Sequence, residues 1–320
     1  MTVPKPEAGH APGVQLDVID NPWLGLQSRH GFFQNAEITD IMARALSYVR
    51  AGVCVHFSGM AGLGKTTMAL RIAEALGRPV SFMTGNEWLT TKDFIGGQIG
   101  ETTSTVVDKY VQSVRRSETT TRADWKDSIL AVSMERGYTL VYDEFTRASP
   151  AANAALLSVL EEGVLVSTDH TSTRTYIEAH PDFRIILTSN PHDYQGVNMA
   201  PDALVDRMVT LRLKEPSAET LAGIVAARSG LDPENSRRIV HLVLRARESF
   251  DVHGLSSMRT SILIARLAAP LEMAGQLTAA ALAQIASDVL SGRGAEIGPQ
   301  DIEHALDPQT AQQMQRIVGA

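Results

Sequence analysis

One octapeptide constrains this chain more than any other feature. Val53-Cys54-Val55-His56-Phe57 is a short, β-prone apolar run, and Gly59-Met60-Ala61-Gly62-Leu63-Gly64-Lys65-Thr66 follows it directly. From Thr66 to Leu76 apolar residues recur at helical spacing until Gly77 stops them. Strand, glycine-rich turn, helix is the context in which G-x-x-x-x-G-K-[ST] cradles phosphate. The glycines let backbone N–H groups turn inward around phosphate oxygens, and the helix adds its unpaired N-terminal amides. Lys65 can reach the β- and γ-phosphates, and the Thr66 hydroxyl can ligate Mg²⁺. The expected ATP contacts run from Gly59 through Thr66 to the adjacent Thr67.

Further apolar runs at Val80–Met83, Thr139–Tyr142, Phe183–Leu187 and Met208–Leu211 alternate with helical patterns such as Glu37–Arg50. Such runs suit strands covered on both faces, so the expected fold is α/β, a mainly parallel sheet between helices. Two segments interrupt the alternation. Residues 96–125 are rich in Gly, Thr and Ser and read as an insertion holding a helix near Val106 to Val114; residues 163–181 read as a hairpin. Beyond Glu215-Pro216 the β signals cease, which predicts a core over 23–215 and a smaller helical lid with the C-terminal region over 216–320. Residues 1–22 are expected to form a flexible lead-in.

The P-loop needs partners. Thr139-Leu140-Val141-Tyr142-Asp143-Glu144 is an apolar strand ending in two carboxylates. Asp143 can hold the metal side and Glu144 can polarise an attacking water. Asn190 ends the Leu187-Thr188-Ser189 strand, where it can orient that water. Arg207 precedes a strand and Arg259 opens a later helix; guanidinium forks suit a transferring phosphoryl group. On residue type alone the alternatives stay open: turn-forming acids, an Asn-Pro turn, solvated arginines.

Other chemistries find no support. A net charge of -7 gives no footprint for nucleic acid. The nine histidines show no zinc-like spacing, and His56 reads as a core histidine. Cys54 is the single cysteine, so no intramolecular disulfide forms. The N-terminus has no signal or anchor pattern, and the apolar stretch Ile262–Leu290 is broken by Arg266, Pro270 and Glu272; a cytosolic protein with no membrane span is expected.

With these elements in order, the chain resembles the MoxR-type branch of AAA+ ATPases, and within it the gas vesicle protein N (GvpN) family. The resemblance runs from about Asn21 to about Pro216. It is carried by TTKDFIGG with VVDKYVQSVRR, by YTLVYDEFTRASPAANAALLSVLEEGVLV, and by HPDFRIILTSNPHDYQGVNMAPDALVDRMVTL. Thr146 stands in DEFTR where Asn is expected, a departure at a non-catalytic position. The resemblance implies that Lys65, Thr66, Asp143 and Glu144 are the P-loop and acid-strand residues and Asn190 is sensor 1. It makes Arg207 a finger donated to a neighbouring subunit and Arg259 sensor 2; Arg147 is also expected to face a neighbouring site. It further implies ATP and Mg²⁺ as cofactors and a ring, a hexamer in the family. The expected function is chaperone-like ATP hydrolysis promoting gas vesicle assembly, with shell and accessory proteins as partners. Two alternatives share these motifs: a MoxR-type activator that matures a metalloenzyme, and a vesicle-bound structural ring that only holds ATP.

Overall fold

The computed structural model describes residues 32–108, 116–166, 176–190, 201–249, 256–291 and 298–306. The expected lead-in over 1–22 lies outside the described residues. Helix α1 (Ala36–Arg50) opens at Asn35, whose side chain accepts the Ile38 N–H. Its buried face is Ile38, Met42, Ala45, Leu46 and Val49. Strand β1 (Cys54–Ser58) is buried at every position, and α2 (Lys65–Ala75) follows the loop. Gly64 enters that helix at φ 81°, a left-handed conformation that glycine adopts without a Cβ penalty.

The chain continues through β2 (Val80–Thr84), α3 (Thr91–Ile95), β3 (Gly96–Asp108), β4 (Arg116–Asp127), α4 (Ile129–Arg136) and β5 (Thr139–Asp143). Next come α5 (Pro150–Asn153), α6 (Ala155–Glu162), β6 (Val164–Val166), β7 (Tyr176–Glu178), β8 (Arg184–Ser189), α7 (Asp202–Val205) and β9 (Met208–Arg212). The five apolar runs read as strands form one parallel sheet, ordered β2-β5-β8-β1-β9. Period-2 alternation sends neighbours to opposite faces. Val55, Phe57, Val141 and Ile186 pack with α1 and α2, whereas Leu140, Tyr142, Ile185 and Leu187 pack with α4 and α6. Each such side chain contributes about 1.5–3 kcal/mol on burial. The register sets Ser58 beside Ser189 and Arg212, and Thr84 beside Asp143. The carboxyl ends of the strands therefore share one edge, where open α/β sheets bind ligands.

One expectation is corrected. Val106, Val107 and Asp108, the first residues of the helix expected near Val106 to Val114, instead end strand β3, which forms a long antiparallel ribbon with β4 pairing Gly96 with Asp127 through Asp108 with Arg116; the rest of that expected helix, within residues 109–115, lies outside the described residues. The valine spacing suggested a helix, but the surrounding composition is β-branched. Thr102, Thr103 and Thr105 stand opposite Arg122, Thr121 and Thr119, and such residues favour the extended state. The hairpin arms β6 and β7 do pair, Leu165 opposite Ile177, with the turn outside the described residues.

After Pro216 only helices follow among the described residues: α8 (Ala218–Ser229), α9 (Pro233–Ser249), α10 (Ser257–Met273), α11 (Ala279–Ser291) and α12 (Pro299–Leu306). They have their own core, which includes Leu221, Val225, Ile239, Val243, Ile264 and Leu282. No helix among the described residues is long and apolar enough to cross a membrane.

Candidate active site

A cavity of about 570 Å³ opens at the strand-end edge, between the sheet and the helical segment. That is an ordinary size for a small-molecule site. Of the expected contacts, Gly62, Leu63, Gly64, Lys65, Thr66 and Thr67 line it, with Asp143, Glu144, Asn190 and Arg259. Gly59, Met60 and Ala61 form the approach to the loop outside that lining, and Met60 is half exposed.

The loop is shaped by what its glycines admit. A Cβ on Gly62, at φ 86°, would overlap the Ser256 side chain and lie 3.1 Å from Cγ of Arg259. Glycine there lets the start of α10 approach the loop. Lys65 is buried, and its Nζ donates to the carbonyls of Gly59 and Met60 at 2.7 Å each. A buried ammonium needs such acceptors, because desolvating it without them costs several kcal/mol.

The acidic side is tightly knit. Thr66 Oγ1 donates to Asp143 Oδ1 at 2.7 Å, and Thr188 Oγ1 donates to the same oxygen. Hydroxyl and carboxylate oxygens thus converge beside the loop, the hard donor set that Mg²⁺ takes. Among the described residues there is no cluster of three or more His, Cys, Asp or Glu, so a Mg²⁺ here would complete its shell with phosphate and water. Glu144 sits at φ 52°, ψ 40°, the one non-glycine residue at positive φ among the described residues. That conformation costs roughly 1–2 kcal/mol. Arg147 Nε reaches Glu144 Oε2 at 2.7 Å. Arg147, expected at a neighbour's site, here grips the carboxylate of its own chain.

The two other arginines part company. Arg259 faces the cavity from α10. Arg207 does not line it; its guanidinium is bound to Glu161 Oε2 at 2.6 and 3.0 Å and to the Ala203 carbonyl at 2.6 Å. Asn190 is buried at the end of β8. His56 lies between the hydroxyls of Thr210 and Ser189, at 3.0 and 2.8 Å. Burial, and then the Lys65 charge, push its pKa down to about 4, so it is neutral. Burial also pushes the Cys54 thiol up to about 12, which leaves it unreactive.

Sequence reasoning missed Thr188, Phe33 and Arg266. Thr188 stands two residues before Asn190, on the same side of a strand, and Arg266 stands seven after Arg259 on one helical face; both spacings were legible. Phe33, which lines the cavity against Gly223 of α8, had no local signal.

Comparison with known proteins agrees with this geometry. The AAA domain (dynein-related subfamily) model matches residues 55–208. The fold is similar to the Thermotoga maritima RuvB P216G mutant, with a TM-score of 0.50 at 18% identity, covering 82% of this chain and 71% of that one. The gas vesicle ATPase GvpN of Ancylobacter aquaticus is 39% identical over 83% of this chain and 74% of that protein. The gas vesicle ATPase GvpN of Haloferax mediterranei is 37% identical over 83% and 75%. With an AAA+ fold, a complete P-loop beside an acid strand and this degree of identity, the chain belongs to the GvpN family of gas vesicle ATPases.

Proposed function

We propose that this chain hydrolyses ATP within a ring of identical subunits and uses the cycle to remodel a protein of gas vesicle assembly, the shell protein or an accessory protein. The observation that carries the chemistry is the meeting of Thr66, Asp143 and Glu144 on a cavity that Arg259 faces from the helical side. In this reading the P-loop N–H groups and Lys65 hold the β- and γ-phosphates, and Thr66 and Asp143 hold Mg²⁺. The metal, when bound, supplies positive charge to the phosphate oxygens. Glu144 takes a proton from the attacking water and Asn190 orients that water, so ADP and inorganic phosphate leave. Arg259 senses the γ-phosphate and transmits its loss to the lid.

Arg207 lies outside its own cavity, which supports its donation to the next subunit. Head-to-tail contacts of that kind close into a ring, and the family reading makes it a hexamer. The relatives' names support work at gas vesicles, and in this reading that work lies in the cytoplasm. A shell subunit would expose apolar surface before assembly and aggregate without help, a need that a chaperone meets.

The test is genetic, in a vesicle-forming host. Deleting the gene should leave few or small vesicles by electron microscopy, and a Glu144→Gln copy, which holds ATP without turning it over, should fail to rescue. Full-sized vesicles in the deletion strain would overturn the vesicle assignment. Rescue by Glu144→Gln would leave a ring that only holds ATP.

A further inference from the structure

The side chain of Asp143 and the backbone of Glu144 share one partner to which no role has yet been given. Thr188, fully buried near the end of β8, uses one hydroxyl twice. Its Oγ1 donates its proton to Asp143 Oδ1 and accepts the Glu144 N–H at 3.0 Å. Sheet order explains the meeting: β8 lies beside β5 with Tyr142 opposite Leu187, so the next step brings Thr188 level with the carboxylate pair. The second bond matters because Glu144 is in the left-handed region, where its N–H leaves the strand ladder and must find another acceptor. From the other side, the Gly85 N–H bonds the Asp143 carbonyl at 2.7 Å, and a Cβ on Gly85 would overlap the Glu144 carbonyl. The peptide between the two acids is thus held from both neighbouring strands.

We propose that Thr188 is a positioning residue for this ATPase: its hydroxyl aims Asp143 at the metal and locks the Glu144 backbone in the conformation that directs its carboxylate. The inference rests on the proposed roles of Asp143 and Glu144. A serine keeps both hydrogen bonds, whereas a valine keeps the shape and strands the Glu144 N–H and the Asp143 oxygen. A supporting hydrogen-bond partner of a metal ligand typically carries a roughly 10–100-fold effect on metal affinity or activity.

The experiment uses the full chain with Thr188→Val, Thr188→Ser and Asp143→Asn, and three readouts: hydrogen exchange at the Glu144 amide without nucleotide, ATP affinity in EDTA against Mg²⁺, and turnover. In the unsubstituted protein the Glu144 amide should be protected. In Thr188→Val it should exchange at least about tenfold faster, Mg²⁺-dependent affinity and kcat should each fall roughly tenfold or more, and affinity in EDTA should hold within about twofold. Thr188→Ser should restore all three. A freely exchanging Glu144 amide in the unsubstituted protein overturns the proposal even should Thr188→Val fail to fold. So do a normal Thr188→Val beside an impaired Asp143→Asn, and a serine that fails to rescue. An Asp143→Asn with unchanged Mg²⁺ dependence instead overturns the metal role on which the inference rests.

Discussion

The parallel sheet and the helical segment bring residues to the site in different ways. In the sheet, β5, β8 and β1 run side by side and end together, so Asp143, Asn190 and the P-loop meet through topology. Strand β1 is buried along its whole length, and moving one of its residues would disturb apolar contacts on both faces. The helical segment has a core of its own and exposes Leu263, Leu267 and Met273. It reaches the sheet through scattered contacts. Arg247 grips Glu215 at 2.7 and 2.8 Å; Asn35 bonds Thr220 at 2.6 Å, and Thr220 bonds Glu37 at 2.7 Å. Contacts of that kind contribute on the order of 1 kcal/mol each. A strand end cannot shift without unpacking a core, whereas the helical segment meets the sheet side through these polar contacts and an apolar one at Phe33, Gly223 and Ile224, and we propose that it turns with the state of the nucleotide. In that reading the carboxylates are the fixed part of the site and Arg259 the adjustable part.

The sharpest break of this comparison concerns Arg207, which belongs to the fixed part yet faces away from its own cavity. Arg207→Ala and Lys65→Ala should each lose turnover by roughly 10³-fold or more. Mixing the two inactive proteins should restore activity, because some interfaces then pair an intact loop with an intact arginine. Mixed rings without recovery would return Arg207 to its own site or remove it from catalysis.

A moderate effect is expected where the lid meets the entry to the core. A methyl on Gly223 would overlap the ring of Phe33, although alanine favours a helix interior by up to about 1 kcal/mol. Gly223→Ala should therefore lower thermal stability and weaken ATP binding several-fold, at an overpacking cost of roughly 1–3 kcal/mol. In a Phe33→Ala background the same substitution should stabilise. The same sign in both backgrounds, in thermal unfolding and ATP titration, would mean that Phe33 does not couple lid to core.

The smallest effect lies inside the sheet. His56 falls from 6.5 to about 4 on folding, so the unfolded chain binds the extra proton between those values. The neutral ring's contribution is complete above pH 6.5 and is lost as pH falls toward 4. Between pH 7.5 and 5.5 this amounts to about 1 kcal/mol. Denaturant titrations at the two pH values should show that loss in the unsubstituted protein and a smaller one in His56→Gln. Equal losses would make His56 irrelevant to acid sensitivity.

Where a signal was contiguous, it could be read. The five strands came from runs of apolar residues: the central β5, β8 and β1 are buried on both faces and have no room for polar alternation, and the edge strands β2 and β9, though partly exposed, keep mostly apolar runs. The P-loop and the Asp143-Glu144 pair came from spacing, because each works through neighbouring backbone. The ribbon of β3 and β4 was misread, since valines at that spacing suit a helix as well as a strand and the ladder that decides lies across the fold.

By itself, then, the sequence determined the fold class, the phosphate loop and the acid pair at the end of β5 that lines the same cavity. Tertiary structure alone decided who touches whom. Thr66 meets Asp143 across 77 residues, and Thr188 meets Glu144 across 44. Arg147 turned to Glu144, Arg207 to Glu161 and Arg259 to the cavity, although all three are arginines near element boundaries. The reason is physical: local spacing specifies a backbone shape, but the partner of a long charged side chain depends on strand order and on which helix closes over the sheet.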